Sequence, residues 1–473
     1  MKKNQFIYIG FLLLLISSCK TLDTNLSIRE QKIPTSYNTS TDTTNITDIN
    51  WQKYFTDEHL IRLIDTALVN NFDLSMALQR IEIARGGMRF STGQLFPTIA
   101  ADGLVGTNKY AKYTEENAGN STTEFEGEIL PNPINNFQLG LASTWEIDIW
   151  GKLRNQRKSA VTQFLASIEG TNFVITSLIS DIAIAYYELL ALDNELEIIR
   201  KTIQQQQEAL DVVKLQKDAG RANELAVQQF KAQLLNSQAL EKETLQQITE
   251  TENFINFLLG RYPQQVERQK ENLFNEIPNQ IAFGIPSQLL QNRPDIREAE
   301  LMVQASKYDL KSAKAAFFPN INLSAALGFQ SFNPRFLFTS PASIGHSVSG
   351  GLIAPLINMS ALKAQFNNAK SSQLTALYNY QKTILNGYVE VVNELSNIEN
   401  LQQINSLKKQ QNDVLIQSIE TSNDLYKSGR ATYLEVLLAQ QNSLETQLEL
   451  INTTKRQRIS IINIYKALGG GWR

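Results

Sequence analysis

The sequence predicts a mainly α fold with a smaller β part: long coiled-coil helices and two β-hairpins, laid out as a duplicated repeat. Three observations carry this. Apolar residues recur at 3-4 spacing from Val161 to Val213. Short segments of period-two alternation precede each long helical stretch. The stretch "DAGRANELAV" at 218–227 returns as "KSGRATYLEV" at 427–436, with Gly220 and Gly429 lying 209 positions apart.

The first element is a leader. Lys2 and Lys3 precede an apolar run from Phe6 to Ile16, then Ser17, Ser18 and Cys19. This is the layout of a secretory signal peptide, 1–18, too short to span a bilayer, which takes about 20 residues. "ISSC" resembles the bacterial lipobox, which makes Cys19 the candidate lipidation site and the covalent lipid the one expected attachment. Lys20 follows, not the Asp that often marks inner-membrane retention, so the resemblance points to the outer membrane. Residues 19–56, rich in Thr, Asn, Ser and Asp, read as a lipid-anchored extended segment.

The repeats follow, 57–275 and 276–473. "ALQRIEIARGGMRFSTGQLFP" (77–97) matches "AELMVQASKYDLKSAKAAFFP" (299–319) in pattern, and both end in Phe-Pro. Along the first long helix only Thr171 and Gln206 interrupt the apolar 3-4 positions, which means coiled-coil packing. From about 152 to 217 such a helix is roughly 100 Å long. The second, about 361–427, carries its seam on Leu374, Leu377, Ile384, Tyr388, Val391, Leu395 and Ile398. From Gly220 to Gly260 and from Gly429 to Gly469 the spacing is the same, so the halves stay in register after the turns.

The strands alternate. In 137–149 Phe137, Leu139, Leu141, Trp145 and Ile147 oppose Gln138, Thr144, Glu146 and Asp148; in 320–330 Ile321, Leu323, Leu327 and Phe329 oppose Asn320, Asn322, Ser324 and Gln330. Segments 98–106 and 344–354 alternate more weakly. The pattern fits either a half-buried soluble sheet or membrane-barrel strands of about 9–11 residues. Four strands cannot close a barrel, and lipid tolerates no open sheet edge, so membrane insertion requires several chains.

Composition narrows the function. Net charge is −3 with mixed signs, which demands no nucleic-acid partner. One Cys and two His, His59 and His346, leave no zinc site of the usual kind, and no metal is expected. No Gly-rich phosphate loop and no Gly-x-Ser-x-Gly elbow occurs, so an enzyme is not expected. "GGGWR" reads as a short tail.

With these parts in view the chain resembles the TolC/OprM family of outer-membrane efflux channels, in its lipoprotein (NodT-type) branch. "STWEIDIWGKLRNQ" (143–156), "IPSQLLQNRPDIREAE" (285–300) and "KSGRATYLEVLLAQ" (427–440) carry the resemblance. It implies a homotrimer with a twelve-stranded barrel in outer-membrane lipid and a helical tunnel through the periplasm. A periplasmic adaptor and an inner-membrane pump of the resistance-nodulation-division type are the implied partners. Shorter helix pairs, 74–96 with 221–260 and 295–317 with 431–468, are expected to stack end to end. The turns at Gly220 and Gly429 are expected at the periplasmic end. Leu434 is the candidate constriction. Family members often carry an acid four positions later, where Leu438 stands here, so Glu435 and Asp424 are the candidate ring charges. Arg221, Glu224, Arg430 and Tyr433 are candidates for interhelix links or adaptor contact. Arg293, Pro294 and Asp295 of "RPDI" are expected to be structural, with Pro294 at a helix start. The alternative to a channel is a lipid-tethered periplasmic coiled-coil scaffold whose hairpins form a soluble cap.

Overall fold

The computed structural model describes residues 34–37, 50–275, 284–355 and 359–472. The leader and Cys19 lie outside them. Seven helices and four strands carry the architecture: α1 Glu58–Asn70, α2 Phe72–Gly93, β1 Thr98–Asn108, β2 Ile134–Ile147, α3 Lys152–Asp218, α4 Glu224–Leu258, α5 Pro294–Ala315, β3 Asn320–Ser331, β4 Ile344–Ile353, α6 Ser360–Lys427 and α7 Tyr433–Leu468. The chain divides into two compact units, and each draws on both repeats.

One unit holds Ile83–Phe164 and Leu301–Leu377. Its centre is an antiparallel sheet in the order β1-β2-β3-β4. The register joins the apolar positions of all four strands on one face. Ile99, Ala101 and Val105 stand beside Phe137, Leu139 and Leu141; these beside Leu327 and Phe329; and β3 beside Ile344, Val348 and Leu352. From the level of Ile147 to that of Phe137, only Ser143, Ser331 and His346 bring polar side chains to this face. The other face carries Asp102, Gln138, Thr144, Glu146, Asn322, Ser324, Ser347 and Ser349. Among the described residues no helix covers the apolar face: Val105 is 78% exposed, Val348 72% and Leu352 68%. The outer edges of β1 and β4 have no strand partner among the described residues. Such a sheet presents an apolar face to its surroundings and two edges able to pair with further strands.

The other unit holds Glu30–Glu82, Leu165–Glu300 and Tyr378–Arg473. Here α3 supplies Leu178, Ile182, Ala185, Leu189, Leu192 and Leu196 to the core, all at the predicted 3-4 positions. Ile179, Tyr186 and Leu190 are also buried, so α3 packs on more than one face in this stretch. Ile384, Tyr388, Val391, Leu395 and Ile398 of α6 join the same core. Part of the segment read as an extended leader is packed here: Trp51–Tyr54 form a helical turn, Tyr37 stacks on Tyr388 at 5.6 Å, and Tyr54 stacks on Tyr465 at 4.1 Å.

The short helices meet end to end at two equivalent joints. In the first, the Asn71 amide donates to the Leu258 carbonyl at 2.8 Å, and Gly260, at φ +64°, lies so close that a Cβ would stand 2.4 Å from the Asn70 carbonyl oxygen. In the second, Arg293 donates to the Ala467 carbonyl at 2.9 Å, and a Cβ on Gly469, at φ +96°, would stand 2.5 Å from the Asn292 oxygen. Arg293 also pairs with Asp295 at 2.7 Å and Glu390 at 2.6 Å, and lies against Gly387. Burial depresses its basicity, but Asp295 and Glu390 leave it raised overall. Pro294 opens α5, where its missing N–H costs no helical bond. The C-terminal residues are more than a tail: Trp472 donates to the Asn292 carbonyl at 3.1 Å.

Candidate functional site: the paired helix turns

Both turns close in the same way. The Gly220 N–H donates to the Lys217 carbonyl and the Arg221 N–H to that of Gln216; Gly429 and Arg430 repeat this onto Tyr426 and Leu425. This pairing of bonds is the Schellman motif, which needs a left-handed residue after the helix. Gly220 at φ +71° and Gly429 at φ +73° supply it. The following helices are capped differently. Asn223 accepts from the Ala226 N–H at 2.9 Å, whereas Thr432 and Glu435 form a capping box in which the Glu435 carboxylate accepts from the Thr432 N–H at 2.6 Å.

The structure brings the two turns together. Leu210, Val213, Ala226, Phe230 and Leu234 form a small core at the first turn, and Tyr433 and Leu437 of the second pack on it. The Tyr426 hydroxyl donates to the Gln216 side-chain oxygen, tying the end of α6 to the end of α3. Burial raises the Tyr426 hydroxyl above its ordinary pKa. Sequence reasoning singled out Tyr433 and missed this bond. Duplication held a clue: Tyr426 and Tyr433 occupy the positions that Lys217 and Glu224 hold in the first turn. There the pair forms an ion pair of 2.5 Å instead.

The remaining candidates are exposed. Leu434 is 46% exposed, as is its counterpart Leu225 at 53%, and Leu438 is 47% exposed. Arg221 and Arg430 point to solvent. Of the candidate ring charges, Glu435 is engaged: its hydrogen bond from Thr432 holds it below the usual carboxylate range. The hydrogen bond from Lys217 lowers Glu224 in the same way, and Glu224 raises Lys217. Asp424 is the freer acid, with a loose 3.9 Å pairing to exposed Lys427. Among the described residues no cluster of three His, Cys, Asp or Glu could hold a metal.

An exposed apolar strand wall and long paired helices with tied turns define a class: membrane-channel proteins with a helical extension. The chain belongs to the outer membrane efflux protein family, whose family model matches residues 63–261 and 285–470. It is an outer-membrane efflux channel. Among its relatives are a probable outer membrane lipoprotein, SilC, of Salmonella typhimurium and the cation efflux system protein CusC of Escherichia coli strain K12. SilC is 29% identical over 90% of this chain and 88% of its own length; CusC is 27% identical over 90% of each. The fold is similar to the Campylobacter jejuni CmeC outer membrane channel, with a TM-score of 0.84 at 24% identity over 94% of each chain.

Proposed function

We propose that three copies of this chain close their sheets into one twelve-stranded barrel and their helices into a periplasmic tunnel. The tunnel receives cargo from a periplasmic adaptor and an inner-membrane pump of the resistance-nodulation-division type. The observation that carries the reading is the four-stranded sheet, apolar and uncovered on one face, polar on the other, and open at both edges. In lipid such edges must be paired, and pairing with further copies satisfies them. A scaffold with a soluble hairpin cap would leave this face in water, at roughly 25 cal/mol for each Å² of apolar surface. The relatives named for cation efflux and for a lipoprotein support the same reading. Cys19 carries the anchoring lipid. The chain conducts passively and performs no reaction of its own.

The paired turns form the closed end of the tunnel. Leu434 stands at the narrowing, and Asp424 supplies the charge beside it. Arg221, Arg430 and the Tyr433 face offer the adaptor its contacts. Planar-bilayer recording of the purified protein tests this: Leu434→Ser is expected to raise conductance over the parent. Equal conductance removes Leu434 from the gate, and an absence of ion-conducting events from both proteins and from wider tip variants overturns the channel.

A further inference from the structure

The two hairpins differ at the end away from the helices. β3 passes to β4 through 332–343, whereas β1 passes to β2 through 109–133, and that longer connection is folded. It holds a helix of its own, Glu115–Asn120, and a small hairpin in which Glu124 and Phe125 pair with Ile129 and Glu128. Both residues of the hairpin turn stand at positive φ, Glu126 at +52° and Gly127 at +85°, the twist that two-residue turns favour. The Leu130 N–H donates to the Thr123 carbonyl at 3.1 Å, and the Asn132 amide to the Asn117 side-chain oxygen at 2.6 Å. These bonds make the connection a built lobe rather than a slack loop.

The lobe reaches across to the other hairpin. The Phe125 ring meets Phe332 edge-on with centroids 5.5 Å apart, and Phe336 also at 5.5 Å; Phe332 and Phe336 lie 6.4 Å from each other. The register tells on which side this happens. Phe332 follows β3 in the parity of Asn322, Ser324 and Gln330, which occupy the polar face, and Gln330 donates there to Asn136 of β2 at 3.1 Å. The apolar face has its own ring pair at this end, with Phe338 on Phe329 at 5.5 Å. Glu115, Glu116, Glu124, Glu126 and Glu128 also keep the lobe off a face that meets lipid, where charge is costly. Phe125 thus holds the lobe on the polar side, across the end of the sheet. The ring itself stays 46% exposed, so the hold is shallow enough to release.

Resting on the ring reading above, we propose that the lobe is a lid across the outward mouth of the barrel, latched by Phe125 in the notch between Phe332 and Phe336. Latched, it narrows the mouth against bulky molecules outside the cell. Released, it clears the way for cargo leaving the tunnel. The latch uses no residue of the helix turns, so the two barriers act independently.

Thiol labelling on intact cells tests it, because reagents then enter from outside and the helix turns do not limit them. Ser324→Cys places a thiol on the polar face in the interior of β3 and serves as the parent; the chain with Ser324 intact gives the background. Two membrane-impermeant maleimides are compared, one small and one carrying a long polyethylene glycol chain. The small reagent is expected to label the parent readily and the bulky one slowly. Adding Phe125→Ser or Phe336→Ser is expected to speed the bulky reagent several-fold and leave the small one unchanged. Phe338→Ser, which disturbs the same loop on its apolar side, is expected to match the parent. The heat-modifiable trimer band checks that each variant assembles. A bulky reagent that labels the parent as fast as both latch variants overturns the lid and leaves the pore standing. A Ser324→Cys thiol that even the small reagent never reaches overturns the pore on which the lid rests.

Discussion

Arg293 donates its guanidinium to the carbonyl of Ala467 at 2.9 Å, 174 residues away in sequence. Asn71 makes the same bond to Leu258 in the first repeat. The duplication has kept the bond and changed the donor, and Gly387 opens the room that Arg293 needs where the first repeat has Leu178. Arg293 is 5% exposed and holds two carboxylates, Asp295 at 17% exposure and Glu390 at 42%, so its loss leaves the shielded Asp295 charge without this partner. Arg293→Ala is expected to cost about 3–5 kcal/mol, read as a lower temperature for dissociation of the heat-modifiable trimer. Asn71→Ala, which removes a neutral bond and a helix cap, is expected to cost less, about 1–3 kcal/mol.

The glycines give an ordering. Gly429 and Gly469 both sit at positive φ, so alanine strains either by about 1–2 kcal/mol. Around Gly429 a Cβ meets open space, whereas at Gly469 it overlaps the Asn292 carbonyl. Gly469→Ala is expected to lower the dissociation temperature clearly more than Gly429→Ala. Equal effects contradict the close approach at the joint.

Tyr426 ties α6 to α3 at the proposed closed end. Tyr426→Phe keeps the ring and removes the bond to Gln216, worth about 0.5–1.5 kcal/mol. The expected outcome is a several-fold rise in bilayer conductance with the dissociation temperature nearly unchanged. Unchanged conductance removes this bond from the closed state.

Acid acts on the same end. Glu435 and Glu224 are both held below the ordinary carboxylate value, by Thr432 and by Lys217. Depressed groups give stability that is fully present above the unfolded value, about 4.3, and lost as pH falls through the folded value. Conductance is expected to stay flat from neutral pH to about pH 5 and to rise below about pH 4. Glu435→Ala with Glu224→Ala is expected to abolish that rise.

Periodicity made the helices legible. The heptads placed the long helices at about 152–217 and 361–427, and they run Lys152–Asp218 and Ser360–Lys427. Strand alternation located the hairpins but left soluble sheet and barrel equally open; the cross-strand register resolved this by assembling the apolar positions of four strands on one uncovered face. Contacts between distant segments were not legible. Trp472 looked like tail because nothing local announces its bond to Asn292. Glu435 looked like a free charge because its capping box was not recognised, though Thr432 three residues earlier was visible. Gln206 broke the apolar pattern without explanation, and it is buried with both amide atoms unpaired; nothing in the structure explains it.

The sheet, not the lipid, makes this protein a membrane channel. This is tested most directly by exporting a Cys19→Ser chain with a non-lipoprotein signal and measuring its fractionation and native mass. The expected result is an outer-membrane trimer that still needs detergent for extraction. A soluble monomer in the periplasm would contradict it.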